Sequence, residues 1–291
     1  MLQQEPIVLT QEPSLPALFA KAALKRGSRS GTGVNLPALQ IVVRGIKVNL
    51  QRLRRYQKVC GFQETRVLPL TYPQIMAFAI QMRLMTDERF PLPLIGLVHL
   101  RNEISQQRPI LPEEVLDFHC AIAGQRESEK GLEFDVVTRI NIAGRLVWES
   151  TATYLFRRKS RSTSPRKADD QPINRHNQRL HWHLPDSIGR QYARVSGDFN
   201  LIHLHPLTAR LFGFNRAIAH GMWSKARCIA ELLDAKHPGP VRVAVQFKLP
   251  IFLPGDVDLA WHWSDSTCNF ELLGHNNGKP HLAGVIELFD R

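Results

Sequence analysis

Tyr192-Ala-Arg-Val-Ser-Gly-Asp-Phe-Asn-Leu-Ile-His203 has an earlier counterpart in Tyr56-Gln-Lys-Val-Cys-Gly-Phe62. Aligning the tyrosines places Val59 on Val195 and Gly61 on Gly197, all at one constant offset. A second match follows at nearly the same offset, Arg108-Pro-Ile-Leu-Pro-Glu-Glu-Val115 against Leu249-Pro-Ile-Phe-Leu-Pro-Gly-Asp-Val257. Similarity recurring in order at a fixed spacing is the mark of a duplicated structural unit.

Each copy continues in the same way. Period-two alternation over Leu132 to Ile140 and Arg145 to Phe156, then over Asp258 to Trp263, Phe270 to Leu273 and His281 to Phe289, predicts strands. Asn141-Ile-Ala-Gly144 and Asn276-Asn-Gly278 supply hairpin turns between them. Ahead of the strands, Pro73 to Met85 and Met222 to Ala235 carry helical spacing with apolar residues almost all round, so each helix is expected to be buried. The expected fold is α+β, a double hot-dog with two antiparallel sheets each wrapped around a central helix.

Between the copies, Arg157 to Arg179 is basic and polar with almost no apolar residue, too little to offset the entropy of ordering it. The expected organisation is an N-terminal extension over 1–40, a degenerate unit over 41–156, a basic polar linker over 157–180 and a complete unit over 181–291. Leu15 to Ala23 reads as a short amphipathic helix of no assignable function.

No stretch approaches the roughly 18 consecutive apolar residues of a spanning helix. The N-terminus, with Gln3, Gln4 and Glu5 ahead of any apolar run, does not read as a secretory signal. Cys60, Cys120, Cys228 and Cys268 are scattered without a C-x-x-C pair, which fits a reducing cytoplasm. The formal charge of +12 favours an anionic partner. No helix-turn-helix, finger or RNA-binding signature accompanies the basic clusters, so nucleic acid is not expected.

The copies part at one place. After Gly197 the chain presents Asp198 and, five positions on, His203; after Gly61 neither residue type appears at the matching positions. A requirement of the fold would affect both copies, so the ionisable pair points to chemistry. On a regular helix or strand the two side chains would diverge, and they converge only across an irregular turn. Brought together, a carboxylate and an imidazole can hold a water and exchange its proton. Downstream, Ala217-Ile-Ala-His-Gly-Met222 leads into the second apolar helix, where the N–H of Gly221 lacks an intrahelical partner and is a candidate donor to an oxyanion. His203-Leu-His205 and His181-Trp-His183 present alternating histidines, but no H-E-x-x-H or cysteine cluster supplies further ligands, so no metal is expected.

These residues resemble the signature of MaoC-like, R-specific enoyl-thioester hydratases, Y-A-x-x-S-G-D-x-N-P-x-H followed further on by H-G. Asp198, Asn200, His203, His220 and Gly221 stand at matching positions, and Leu201 replaces the usual proline. The run from His203 to Phe214 is similar to long-chain 3-hydroxyacyl-thioester dehydratases of bacterial fatty-acid metabolism. The resemblance implies a hydro-lyase in which Asp198 and His203 form the acid/base pair. Gly221 would bind the thioester carbonyl, Asn200 and Ser196 would orient the pair, and His220 would line the site. It implies an acyl thioester of coenzyme A or of an acyl carrier protein as substrate, no cofactor, and basic residues meeting the carrier's phosphates. A silent thioester binder and a hot-dog thioesterase remain alternatives, because fold does not settle function. A homodimer is compatible but not required, since the duplication already supplies the pairing a single hot-dog needs.

Overall fold

The computed structural model describes residues 5–25, 33–157, 176–233 and 239–290. In chain order the elements are β1 (Ile7–Leu9), α1 (Leu15–Leu24), β2 (Gln40–Ile46), α2 (Leu50–Cys60), α3 (Tyr72–Met76), α4 (Phe78–Met85), β3 (Leu97–Gln106), β4 (Leu116–Ser128), β5 (Gly131–Ile142) and β6 (Arg145–Arg157). The second half follows with β7 (Gln178–Leu184), α5 (Ile188–Ser196), α6 (Pro206–Arg210), α7 (Gly221–Leu232), β8 (Val241–Phe247), β9 (Gly255–Ser264), β10 (Thr267–Gly274) and β11 (Pro280–Leu288).

The strand order β1-β2-β4-β5-β6-β3-β8-β11-β10-β9-β7 is that of a duplicated unit. The series β2-β4-β5-β6-β3 matches β7-β9-β10-β11-β8, and the two meet at corresponding strands, β3 and β8, which pair antiparallel from Arg101↔Gln246 to Gln106↔Val241. The two hot-dog sheets are thus joined into one continuous eleven-stranded sheet. Every pairing is antiparallel except β1 on β2.

Alternation explains the strands. Leu116, Phe118, Cys120 and Ile122 of β4 and Leu132, Phe134, Val136 and Ile140 of β5 are buried, with less buried residues between them. The β5–β6 connection is the two-residue loop Ala143-Gly144, both at positive φ, which matches the twist of the flanking strands. Buried apolar residues of α3, α4 and α7 form one core with the strands, including Ile75, Ile80, Leu84, Ala226 and Ile229.

Three expectations shift in detail. The first central helix is interrupted at Ala77, although Ala77 N–H to Pro73 C=O and Gln81 N–H to Ala77 C=O carry its hydrogen bonding across. The second begins at Gly221 and ends at Leu232, while Ala235 lies outside the described residues. Most of the expected linker, 158–175, also lies outside them, and β7 starts within its tail at Gln178 because Leu180, Trp182 and Leu184 alternate like a strand. In the N-terminal extension, β1 adds to the sheet edge, and Leu18 and Ala22 of α1 pack on Ala79 and Met82 of α4.

Two groups tie the halves together. Lys225, fully buried on α7, places Nζ 2.6 Å from Asn102 Oδ1, 3.0 Å from Asn102 O and 3.1 Å from Val243 O, across the β3–β8 seam. Burial pushes its pKa well down, yet the three acceptors match the three N–H groups that only the ammonium offers. On the solvent side of the seam, Arg242 of β8 pairs with Glu103 of β3 and Glu287 of β11.

Candidate active site

α5 ends as α2 does, on a glycine in the left-handed region: φ is 85° at Gly197 and 78° at Gly61. The repeated glycine is therefore a helix C-cap in both halves, where a side chain would be strained. Beyond Gly197, Asp198 N–H donates to Ser196 Oγ at 3.1 Å, and Asn200 N–H donates to Asp198 Oδ1 at 3.1 Å. Leu201–His203 then form a single 3₁₀ turn, with Asn200 as its cap and Leu201 exposed. This turn folds back onto α5, and Gly189 permits the approach, since a methyl there would overlap the His203 carbonyl. The five-residue spacing thus becomes a convergence.

A second segment completes the site. Ala217 to His220 runs beside Ile251 to Leu253, with Ala219 N–H donating to Ile251 C=O and Leu253 N–H to Ala217 C=O. The carbonyl of Ile218 thereby meets His203 Nδ1 at 2.8 Å, so Nδ1 carries the proton and Nε2 keeps its lone pair. His220 stacks on His203 with ring centroids 3.7 Å apart, and its Nε2–H donates to the Asp198 carbonyl at 3.0 Å. Its Nδ1 is buried and unpartnered, as is the hydroxyl of Tyr192, whose ring lies 4.9 Å from that of His220.

Asp198, His203 and His220 each offer a donor atom within 4.8 Å of the other two. Both histidines are buried, while the Asp198 side chain is 29% exposed, so the carboxylate is the member of the three that solvent reaches most. Burial holds His203 below the ordinary imidazole value, partly offset by the Asp198 charge and the Ile218 carbonyl. Burial and the neighbouring His203 hold His220 well below it. Both rings are therefore neutral near pH 7. The same three residues have the spacing of metal ligands, with His203 Nδ1 and His220 Nε2 each bonded to a backbone carbonyl. Gly221 opens α7, and its N–H is among those a helix start leaves without an intrahelical partner. A Cβ on Gly221 would sit 3.0 Å from the Phe247 ring, so the glycine also serves close packing.

The first half contributes residues the sequence did not single out. Arg52 of α2 reaches across to the end of α5, Nε donating to Val195 C=O at 2.7 Å and Nη2 to Ser196 C=O at 2.9 Å. A cation on the last carbonyls of a helix opposes the negative end of its dipole and here holds the backbone just before Asp198. Tyr154 of β6 stacks on His99 of β3 at 4.8 Å, and burial, with the Asp198 charge nearby, raises its phenol. His99 also lies 4.9 Å from Phe247 and is pushed down to about 3, chiefly by burial. The burial of His99 and Tyr154 could not be inferred without knowing that β3 and β6 lie beside the seam. Two of the chain's basic residues, Arg52 and Lys25, are occupied internally, Lys25 on the carbonyls of Met85 and Asp87.

Comparison with known proteins supports this architecture. Residues 161–264 match the family model described as "MaoC like domain". The chain is 31% identical over 256 residues to 3-hydroxyacyl-thioester dehydratase X of Mycobacterium tuberculosis, covering 86% of this chain and 90% of that protein. It is 30% identical over 102 residues to the (R)-specific enoyl-CoA hydratase of Aeromonas caviae, covering 34% of this chain and 69% of that protein. The crystal structure of HtdX of M. tuberculosis superposes with a TM-score of 0.75 at 30% identity, over 86% of this chain and all of that one. Fold and relatives define the class as a double hot-dog hydro-lyase. Within that class, the chain belongs to the MaoC-like dehydratase family. No helix among the described residues is long and apolar enough to cross a membrane.

Proposed function

We propose that the protein interconverts a trans-2-enoyl thioester and water with an (R)-3-hydroxyacyl thioester, the acyl group being carried on coenzyme A or an acyl carrier protein. The observation that carries this reading is the free Nε2 of neutral His203, beside the carboxylate of Asp198 and within reach of one shared water. The pair takes up a proton from that water as its oxygen bonds to C3 and delivers a proton to C2, so no net proton leaves the site. The pair titrates as a unit, and both members serve in both directions. Gly221 N–H receives the charge that develops on the thioester oxygen. Ser196 and Asn200 hold the turn, and His220 fixes the Asp198 backbone and packs on His203. The four cysteines are free and buried, which supports a reducing cytoplasm as the site of action.

Acyl-carrier thioesterases share the fold, with a TM-score of 0.53 at 9% identity for the Umbellularia californica enzyme, so the product must decide. The test follows enoyl absorbance of trans-2-enoyl thioesters at two chain lengths, with a thiol reagent present. Loss of the enoyl signal without thiol release, giving the (R) product and abolished in Asp198→Asn and His203→Ala, is the expected result. Thiol release would establish hydrolysis instead. Binding without any turnover on either carrier would reduce the protein to a thioester binder.

A further inference from the structure

A second cluster of histidines and carboxylates lies far along the sheet, on its outermost strands. β7 is the edge strand and pairs with β9 in the register His181↔Asp258 and His183↔Asp256, which sets two imidazoles directly across from two carboxylates. On the other side of β9, β10 ends at Gly274, and His275 follows with its N–H donating to Asp256 C=O. Imidazoles from both flanks therefore converge on the middle strand. His181 Nδ1 lies 3.1 Å from Asp258 Oδ1, and His275 Nδ1 lies 2.9 Å from the same oxygen and 3.0 Å from Oδ2. The two rings are 4.4 Å apart, centroid to centroid.

We propose that His181, His275 and Asp258 form a binding site for one borderline divalent transition ion, of which zinc is the type. Donor atoms that share an ion at about 2.1 Å, with angles between 90° and tetrahedral, stand roughly 3.0–3.4 Å apart. The two His–Asp separations here, 3.1 and 2.9 Å, fall close to that window, and one donor from each residue lies within 4.8 Å of the other two. The carboxylate is buried and fixed, while both imidazoles are exposed, so an ion can enter without opening the core. A cleft of about 280 Å³ whose lining includes Asp256, His275 and His281 adjoins the cluster on the His275 side.

The surrounding groups are those a metal site needs. With Nδ1 of His181 on the ion, its Nε2 faces Asp256 Oδ1 at 3.5 Å, the carboxylate that orients a ligating histidine from behind. Asp256 also receives His183 Nδ1 at 2.9 Å, which holds it in place. Two nitrogen donors and one oxygen select zinc, nickel or copper over magnesium or calcium, which take oxygen ligands. Arg179, 3.7 Å from Asp258 Oδ2 but 59% exposed, would swing outward as the ion enters. The ion would pin the edge strand β7 to β9 and to the turn after β10. The expectation of no metal rested on the lack of an H-E-x-x-H or cysteine cluster to add third and fourth ligands to His181-Trp-His183, and the fold instead brings Asp258 and His275 to His181 from segments distant along the chain.

The test is equilibrium dialysis of the metal-stripped full-length protein against micromolar zinc, with far-ultraviolet circular dichroism to check folding. The wild type and His203→Ala should each hold one equivalent, and the double variant His181→Gln/His275→Gln none. Cobalt in place of zinc should give a visible spectrum with imidazole ligation in the wild type and none in the double variant. Zinc should raise the Tm of the wild type and of His203→Ala but not that of the double variant, and Arg179→Met should bind it about fivefold more tightly through loss of a nearby positive charge. No zinc on the wild type would show that the cluster is a hydrogen-bond network alone. Zinc retained in the double variant but lost in His203→Ala would place the ion at the other triad. Either result overturns the proposal.

Discussion

After Gly61 the chain continues Phe62-Gln-Glu-Thr-Arg66; after Gly197 it continues Asp198-Phe-Asn-Leu-Ile-His203. The helices leading into the two turns match, both end on a left-handed glycine, and Tyr56 and Tyr192 are buried with ring centroids 6.2 Å apart. Their hydroxyls differ. Tyr56 shares a hydrogen bond of 2.7 Å with Thr71, whereas that of Tyr192 has no partner. The Tyr192 hydroxyl, beside the equally unpartnered Nδ1 of His220, is a buried polar group that a water or ligand in the site can satisfy. The first half has become support: Arg52 caps α5, and the carbonyl of Val59 accepts Trp223 Nε1–H at 3.0 Å.

The widest separation between the halves is expected in catalysis. Asp198→Asn and His203→Ala should each lower kcat by about 10²- to 10⁴-fold, while Glu64→Gln in the matching first-half turn should leave it unchanged, as read by enoyl absorbance. A strong loss in the latter would break the assignment of chemistry to one half. Next in size is the seam. Lys225→Met removes three hydrogen bonds that reach both halves, leaves the buried Asn102 Oδ1 without its donor, and should cost about 3 kcal/mol in urea unfolding. A neutral result would mean that the halves are held by their strands alone.

Arg52→Met should lower kcat about tenfold with KM little changed and cost about 1 kcal/mol of stability, since it removes two charge-assisted bonds that position the turn before Asp198. Loss of stability without change in kcat would reduce Arg52 to a helix cap. A final effect concerns pH. His203 and His220 are held below the ordinary imidazole value by burial, so the unfolded chain binds their protons first as pH falls below about 6.5. Stability should therefore fall with pH from about 6.5 toward the lowered native values, by at most about 1.4 kcal/mol per pH unit for each ring. The acid limb of kcat/KM should likewise lie below the ordinary imidazole range. Urea unfolding across that window, with His220→Asn as comparison, should show a shallower slope in the variant.

The fold was legible where local pattern and repetition agreed. The five expected strands correspond to β5, β6, β9, β10 and β11, and both buried helices form. β4 alternates as plainly as β5, and β8 as plainly through Val241-Arg-Val-Ala-Val245, but neither has a recognised turn ahead of it, while β3 is obscured because Asn102 puts a polar group inside the seam. The pairing of Asp198 with His203 was visible as residue types at a spacing that no regular element brings together.

The sequence by itself determined the duplication, the buried helices, the hairpins and which copy retained an ionisable pair. These are local or repeated signals that survive without knowledge of the partner. Tertiary structure alone decided that the two sheets join at β3 and β8, that Arg52 serves the opposite half, and that His181, Asp258 and His275 meet. Each of these depends on strand order and register between segments distant along the chain. A register shift of one residue would turn His181 to the other face of the sheet, and nothing in its immediate neighbours specifies that register.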